Sequence, residues 1–253
     1  MNFIAVSFAS HVRRVLSIAF VVSLGSSLHA DDTEQRLLLP LDVVVQGGYG
    51  SLFSTHLTAF NKGATPVEVR GIVPFCPLSP CLSDPIPAVV LVPGHATGEF
   101  ENHGTPGRFV FYPSSAQLDF NLRARDSSRD QLSYGTEVPV VAGELFRSRP
   151  FNLLAVQSAQ TFRAMLRVYG IAASTVTVRA LRQADDRVLD QWSLQLSEPG
   201  NEYEPAYAEI ALPGWGVSFV RIEISPQSEQ FPVWAFASVT NNVTQQFTLV
   251  TPR

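Results

Sequence analysis

Apolar and polar residues alternate strictly along several short segments of this chain. In residues 118–125 the apolar members are Leu118, Phe120, Leu122 and Ala124. Successive side chains of a strand point to opposite faces of the sheet, so these four share one face. The same alternation occurs in residues 162–168, 176–180 and 192–196. The pattern predicts an all-β fold of antiparallel sheets, each with one buried face and one solvent-exposed face.

Part of this pattern occurs twice, at an offset of 109 residues. The matching pairs are Phe53 and Phe162, Leu57 and Leu166, Phe60 and Tyr169, Val67 and Val176, Val69 and Val178, and Arg70 and Arg179. Chance similarity between two hairpins is the alternative explanation. A true repeat predicts two tandem β-sandwich modules, residues 31–142 and 143–253, each of ordinary size for a sandwich.

The first thirty residues contain a basic, an apolar and a small-residue segment, in the order typical of a secretory signal peptide. Arg13 and Arg14 precede an almost wholly apolar run over residues 15–24, and small residues lead to Ala30. The run is shorter than the roughly 20 residues that a membrane-spanning helix needs. We therefore expect residues 1–30 to be removed, with the protein in the periplasm, at the cell surface or outside the cell and with no membrane span left.

The charge of the remaining chain argues against nucleic acid as a partner. Residues 1–30 contain two arginines and no acid, so 16 basic and 22 acidic residues remain, a formal charge of −6. The arginines are scattered along alternating segments and form no basic stripe. Arg163, Arg167 and Arg179, on predicted strand faces, are candidate anchors for a protein partner or a surface polysaccharide.

Several short motifs resemble those of a known group of proteins. Residues 47–50 form a glycine-rich turn, a strand with Phe53, Thr55 and Leu57 follows, and Asn61 stands in the next turn. This order, together with the closing residues 235–242, resembles an uncharacterised group of exported bacterial tandem β-sandwich repeat proteins. The resemblance implies an immunoglobulin-like fold and attaches no activity to it. The second copy departs from the pattern, because Gly170 stands where the first copy has Asn61.

The sequence contains none of the common catalytic motifs. It does contain one loose cluster of residues of the types that bind metal ions. His95, Glu99, Glu101 and His103 fall within nine residues. Zinc favours such ligands, but the segment is punctuated by glycine and is predicted to be a loop between strands, where polar residues are expected for solvation alone. We predict a surface loop, with no metal, no cofactor and no catalytic residue; zinc ligation is the alternative.

Cys76 and Cys81 are the only cysteines, and they flank a segment with two prolines. In an oxidising compartment this pair is expected to form a disulfide. The loop that it closes is short, so the bond is expected to hold a local turn and not the fold.

Two aromatic residues lie between glycines, outside the alternating segments. They are Tyr49, in a Gly-Gly-Tyr-Gly run, and Trp215, in a Pro-Gly-Trp-Gly run. An aromatic on a loop can stack on a sugar or anchor a partner, and both are candidate binding residues. The alternative, which we favour, is that each ring folds back to plug the end of a sandwich.

These features predict a non-catalytic exported interaction or structural protein of the cell envelope or extracellular space. A carbohydrate-binding protein is the first alternative and would display Tyr49, Trp215 and another aromatic in a row. A metal-dependent hydrolase is the second, and would bring His95 and His103 together with a carboxylate.

Overall fold

Antiparallel β-strands make up the chain in the computed structural model, which describes residues 33–42, 44–74, 89–101, 105–128 and 135–253. Within those residues the helical segments are two 3₁₀ turns, Gly48–Gly50 and Gly143–Leu145. The predicted all-β class and the antiparallel pairing are confirmed.

The strands are numbered in chain order and divided between two halves, residues 33–142 and residues 143–253. The first half contains β1 (Glu34–Leu39), β2 (Val44–Gln46), β3 (Leu52–Asn61), β4 (Val67–Arg70), β5 (Val73–Pro74), β6 (Val89–Val92), β7 (Thr97–Glu101), β8 (Arg108–Pro113), β9 (Leu118–Asp126), β10 (Thr136–Val138) and β11 (Val141–Ala142). The second half contains β12 (Phe151–Gln157), β13 (Phe162–Gly170), β14 (Thr175–Arg182), β15 (Val188–Gln195), β16 (Ala206–Leu212), β17 (Phe219–Pro226), β18 (Val233–Asn241) and β19 (Phe247–Val250).

The strands form four sheets, two in each half. In the first half, sheet A has the order β11-β1-β8-β4-β6 and sheet B the order β10-β9-β3-β7-β5, with β2 paired to β3. In the second half, sheet C has the order β12-β17-β14-β15 and sheet D the order β16-β13-β18-β19. The two sheets of each half share a hydrophobic core, which gives each half a sandwich-like arrangement.

The strand order of the first half recurs in the second. The run β1-β8-β4-β6 of sheet A has the same order in the chain as β12-β17-β14-β15 of sheet C, and β7-β3-β9-β10 of sheet B has the same order as β16-β13-β18-β19 of sheet D. Strands β2, β5 and β11 are additions at the margins of the first half.

Residues that match at the 109-residue offset are buried to a similar degree at most positions. The pairs Leu57 and Leu166, Val67 and Val176, and Val69 and Val178 are buried in both halves. Phe53 and Phe162 are only half-buried. The clear difference is at Phe60 and Tyr169: the first side chain is 41% exposed and the second is fully buried.

Tyr169 is buried because the outer face of sheet D packs against the first half. Tyr169, Trp234 and Phe236 point away from the core of their own half and join the core of the first. The Tyr169 hydroxyl lies within hydrogen-bonding distance of the carbonyl oxygens of Pro40 and Pro106. Residues 32–253 accordingly form one compact unit.

Three sequence predictions fall outside the described residues. They concern the signal peptide over residues 1–30, the disulfide between Cys76 and Cys81, and the side chain of His103. In the part of the chain that is described, no helix is both long enough and apolar enough to span a membrane.

Candidate functional site

Trp215 lies in the loop between β16 and β17 and packs against the second core. The centroid of its ring is 6.1 Å from that of Trp192, and its backbone N–H donates to Ser158 Oγ at 3.0 Å. Its indole Nε1 is buried and has no hydrogen-bond partner in the described structure. This geometry is that of a plug at the end of sheets C and D. A role for Trp215 in partner binding stays a prediction.

Tyr49 lies in the 3₁₀ turn Gly48–Gly50, which a tight local network holds in place. The backbone N–H of Gly47 donates to Ser51 O at 2.8 Å, and Ser51 Oγ donates to Gly48 O at 2.8 Å. A Cβ at Gly47 would lie 2.4 Å from Ser51 Oγ and 2.7 Å from the Phe53 ring, so a larger residue there would have to displace these side chains. The binding role predicted for Tyr49 is likewise untested.

The predicted metal-ligand cluster is only partly described. His95 is exposed in a turn with φ of 54°, and Glu99 lies on β7, where its carboxylate is 3.9 Å from His56 Nε2. Among the described residues, no three histidine, cysteine or acidic side chains are grouped so that they could hold a metal ion. Zinc ligation that involves His103 therefore stays an untested alternative.

A cleft of about 420 Å³ lies where the two halves meet. One wall is the outer face of sheet D, in which neighbouring strands place side chains in rows. One row is Ala211, Met165 and Ser238; the next is Glu209, Arg167 and Phe236; and on the other side Arg163 lies opposite Thr240. The cleft therefore begins next to the buried aromatic side chains Tyr169, Trp234 and Phe236, where this face of sheet D becomes open.

The opposite wall comes from the first half and from β19. Its members are Leu41, Gln46, Gly47, Gly48, Phe53, Ser54, Thr55, Ala124 and Phe247. Phe53 and Phe247 meet edge to face, with ring centroids 5.5 Å apart and ring planes at 87°. Because each half contributes part of the lining, neither half alone would form this cleft.

No protein-family model, curated protein or solved structure matches this chain.

Two guanidinium groups and one carboxylate set the electrostatics of the cleft. Arg167 Nε is 3.3 Å from Glu209 Oε2, and Arg167 Nη1 donates to Ser238 Oγ at 3.0 Å. The Tyr207 hydroxyl donates to the same Glu209 oxygen. Burial, and then the hydrogen bond to Glu209, raise the pKa of Tyr207, so this hydroxyl stays a donor at every physiological pH.

Arg163 is held in place by two amide side chains of the β18–β19 hairpin. Its Nη1 donates to Asn242 Oδ1 at 2.9 Å, and its Nη2 donates to Gln245 Oε1 at 2.7 Å. Gln245 is itself buried and donates from Nε2 to Asn242 O at 2.6 Å. Both acceptors are neutral amide oxygens, and they orient the guanidinium.

Two of the residues that the sequence suggests as anchors lie at the cleft, and their role in binding stays a prediction. Arg163 and Arg167 were predicted as anchors on strand faces, and they line the cleft. Arg179 lies on sheet C instead, with Glu223 and Gln191. Phe53 and Phe247 were not predicted to meet, since they are far apart in the chain and no local pattern joins them.

Proposed function

We propose that this chain is an exported, non-catalytic binding protein of the cell envelope or extracellular space, and that its ligand occupies the cleft between the two halves. The observation that carries the proposal is the cleft itself, which is preformed and lined from both halves. Its volume of about 420 Å³ falls in the range of small-molecule sites. A protein partner would need a much larger, flatter surface.

We further propose that the two halves are copies of one immunoglobulin-like module, residues 31–142 and 143–253. The matching order of eight strands and the shared burial of Leu57 with Leu166 support this view. Two antiparallel sheets around one core, in about 110 residues, is the architecture of an immunoglobulin-like domain.

The chemistry of the cleft supports binding and not catalysis. Its described lining contains no histidine. The carboxylate of Glu209 already binds Arg167 and Tyr207, so it is not poised to take a proton from a substrate. A hydroxyl such as that of Ser238 has no adjacent base among the lining residues described, and a serine without one is a weak nucleophile.

The carbohydrate-binding alternative is less well supported. Sugar binding on loops uses exposed aromatic faces, whereas Trp215 packs against Trp192 and the second core. The hydrolase alternative would need His95 and His103 to converge with an acid, and His95 is exposed in a turn.

Ala211 provides a direct test, because it lines the cleft and its side chain is exposed. Ala211→Trp should fill the cleft without disturbing a core. Ser193→Trp is the matched control, on an exposed position of β15 in sheet C, outside the cleft.

Each protein would be incubated with a low-molecular-mass extract of the native envelope fraction, passed through gel filtration and measured by native mass spectrometry. We expect a one-to-one adduct on the wild type and on Ser193→Trp, and none on Ala211→Trp. An adduct on Ala211→Trp equal to that of the wild type, or none on the wild type, would contradict the proposal.

A further inference from the structure

We infer that β16 pairs with the β16 strand of a second copy of this chain, so that two molecules form an antiparallel dimer through the edge of sheet D. β16 is an edge strand, because in the sheet it has β13 as a neighbour on one side only. The inference is independent of the proposed ligand cleft. Three features of the strand lead to it, and the register of the pairing supports it.

The first feature is the set of backbone groups on the open edge of β16. Tyr207 O accepts from Ser197 N–H at 2.9 Å, and Tyr207 N–H donates to Ser197 Oγ at 3.2 Å, so the backbone groups of Tyr207 point away from β13. In an antiparallel ladder this direction alternates along the strand, so Glu209 and Ala211 also direct theirs outward. Among the described residues, none bonds to these outward N–H and C=O groups, and both residues are exposed.

The second feature is the extra strand that covers the equivalent edge in the first half. Leu57 pairs with Phe100, and the matching Leu166 pairs with Ile210, so β7 corresponds to β16. The outer edge of β7 is covered by β5, which pairs with Phe100 and Glu101. In the second half, β14 leads directly to β15, and the described residues contain no counterpart of β5. The same sheet therefore accepts one more strand at this edge, and the second half leaves the place open.

The third feature is the absence from β16 of the devices that usually protect an exposed edge. Natural edge strands are commonly interrupted by a bulge, a proline or a lysine. Residues 206–212 pair with β13 in unbroken register and carry one charge, on Glu209, whose carboxylate is paired with Arg167. The two edge strands of sheet C, β12 and β15, each pair with an irregularity in register. β16 is thus a regular, largely apolar edge, which favours association with another strand.

A second β16 strand fits this edge with Ile210 on the two-fold axis. Glu209 then lies opposite Ala211 of the partner subunit, and each such pair exchanges both of its outward hydrogen bonds. No like charges face each other, which would be destabilising. On the inner face, Ile210 meets Ile210 of the partner subunit, and Ala208 meets Leu212 of the partner subunit. Because Ala208 and Ile210 are only partly buried at the margin of the second core, the pairing covers apolar surface.

The neighbouring registers fit less well. With Glu209 on the axis, two carboxylates would face each other, and the pairing would need the backbone groups of Tyr207 that already bond to Ser197. With Ala211 on the axis, Glu209 would lie opposite Pro213 of the partner subunit, which has no N–H to donate. The strand is therefore complementary to itself in one register. Such a contact uses the same surface on both subunits and closes at two.

Analytical ultracentrifugation of the exported chain tests the inference. The contact between two short strands is small, so we expect a reversible equilibrium of monomer and dimer, followed up to about 1 mM protein to include weak association. Ala211→Pro removes an outward N–H and leaves the ladder to β13 intact, since proline is tolerated on the open side of an edge strand. It should weaken the dimer by roughly tenfold or more, because each subunit loses one hydrogen bond at the contact.

Ser193→Pro is the matched control, on the open edge of β15. Leu196 N–H donates to Ser174 O on the β14 side, so by alternation the N–H of Ser193 also points outward. This variant should dimerise like the wild type. Urea unfolding of both proline variants would show that each is folded.

Two charged variants test the register. Ala211→Lys places an ammonium group opposite Glu209 of the partner subunit and should tighten the dimer by roughly fivefold, since the pair occurs twice. Ala211→Glu places a carboxylate there and should weaken the dimer by a similar factor. Both substitutions are at an exposed position, so their opposite effects cannot come from a loss of folding.

A wild type that stays monomeric at about 1 mM overturns the inference. If it is monomeric but retains an envelope protein that Ala211→Pro does not retain, the edge serves another chain and the inference is wrong. A dimer that Ala211→Pro and Ser193→Pro leave equally strong lies elsewhere on the molecule. Equal effects of Ala211→Lys and Ala211→Glu contradict the register. None of these results bears on the proposed cleft, because the measurements contain no ligand.

Discussion

The Tyr169 hydroxyl connects the two halves of the chain through the carbonyl oxygens of Pro40 and Pro106, the second at 2.9 Å. Burial raises the pKa of this hydroxyl well above its ordinary value, so it remains a donor at all physiological pH values. Tyr169→Phe would leave the buried Pro40 carbonyl without a donor, and would also remove the contact to the part-buried Pro106 carbonyl, which shares the same hydroxyl proton. We expect the free energy of unfolding to fall by about 1–3 kcal/mol, measured by urea denaturation.

Tyr207→Phe is the matched control for this substitution. Tyr207 lies beside Tyr169 on the neighbouring strand, with ring centroids 5.3 Å apart, but its hydroxyl contacts the partly exposed carboxylate of Glu209. Water can replace that contact, so the loss of stability should be smaller. Equal losses for the two variants would show that the contacts to Pro40 and Pro106 contribute nothing specific.

The loop between β16 and β17 packs against the second core through Trp215. Trp215→Ala should lower the free energy of unfolding by about 2 kcal/mol, less than the ~3–5 kcal/mol of a fully buried aromatic, because the ring is only half-buried. Trp215→Phe should cost much less, since it keeps most of the packing on Trp192 and removes a buried N–H that has no partner. Thermal and urea unfolding of both variants would measure this. A Trp215→Ala protein that still unfolds cooperatively but associates less with an envelope partner would favour the anchor role over the plug.

Alternation predicted individual strands well and predicted the contacts between them poorly. The segments around Leu122 and Leu166 form β9 and β13, with the expected residues buried. Period-two alternation assigns a side chain to a face, but it does not say what covers that face. Phe60 and Tyr169 illustrate the limit: they match at the 109-residue offset, yet only the second is covered by the other half. The cleft was beyond prediction for the same reason, because its walls meet only when the halves pack.

For the whole molecule, the shared core predicts how the protein unfolds. Tyr169, Trp234 and Phe236 belong to the second half but fill the core of the first, so melting of the second half removes packing from both. We expect a single cooperative transition in calorimetry, with calorimetric and van't Hoff enthalpies equal. Trp234→Ala should shift that transition as a whole. Two resolved transitions, of which only one responds to Trp234→Ala, would mean that the halves are energetically independent.

Matching ends of the two halves are closed in different ways. The end of the first half near Pro40 and Pro106 is closed by aromatic side chains of the second half, whereas the matching end of the second half, near Ser158, is closed by its own Trp215. Trp215 therefore lies, in the second half, at the end that corresponds to the one covered by aromatic side chains in the first. On the outer face of sheet B, the exposed residues include His56, Phe60 and the Lys62–Asp119 ion pair. A head-to-tail contact that can repeat produces filaments; Trp215 blocks the end of the second half at which that contact would repeat.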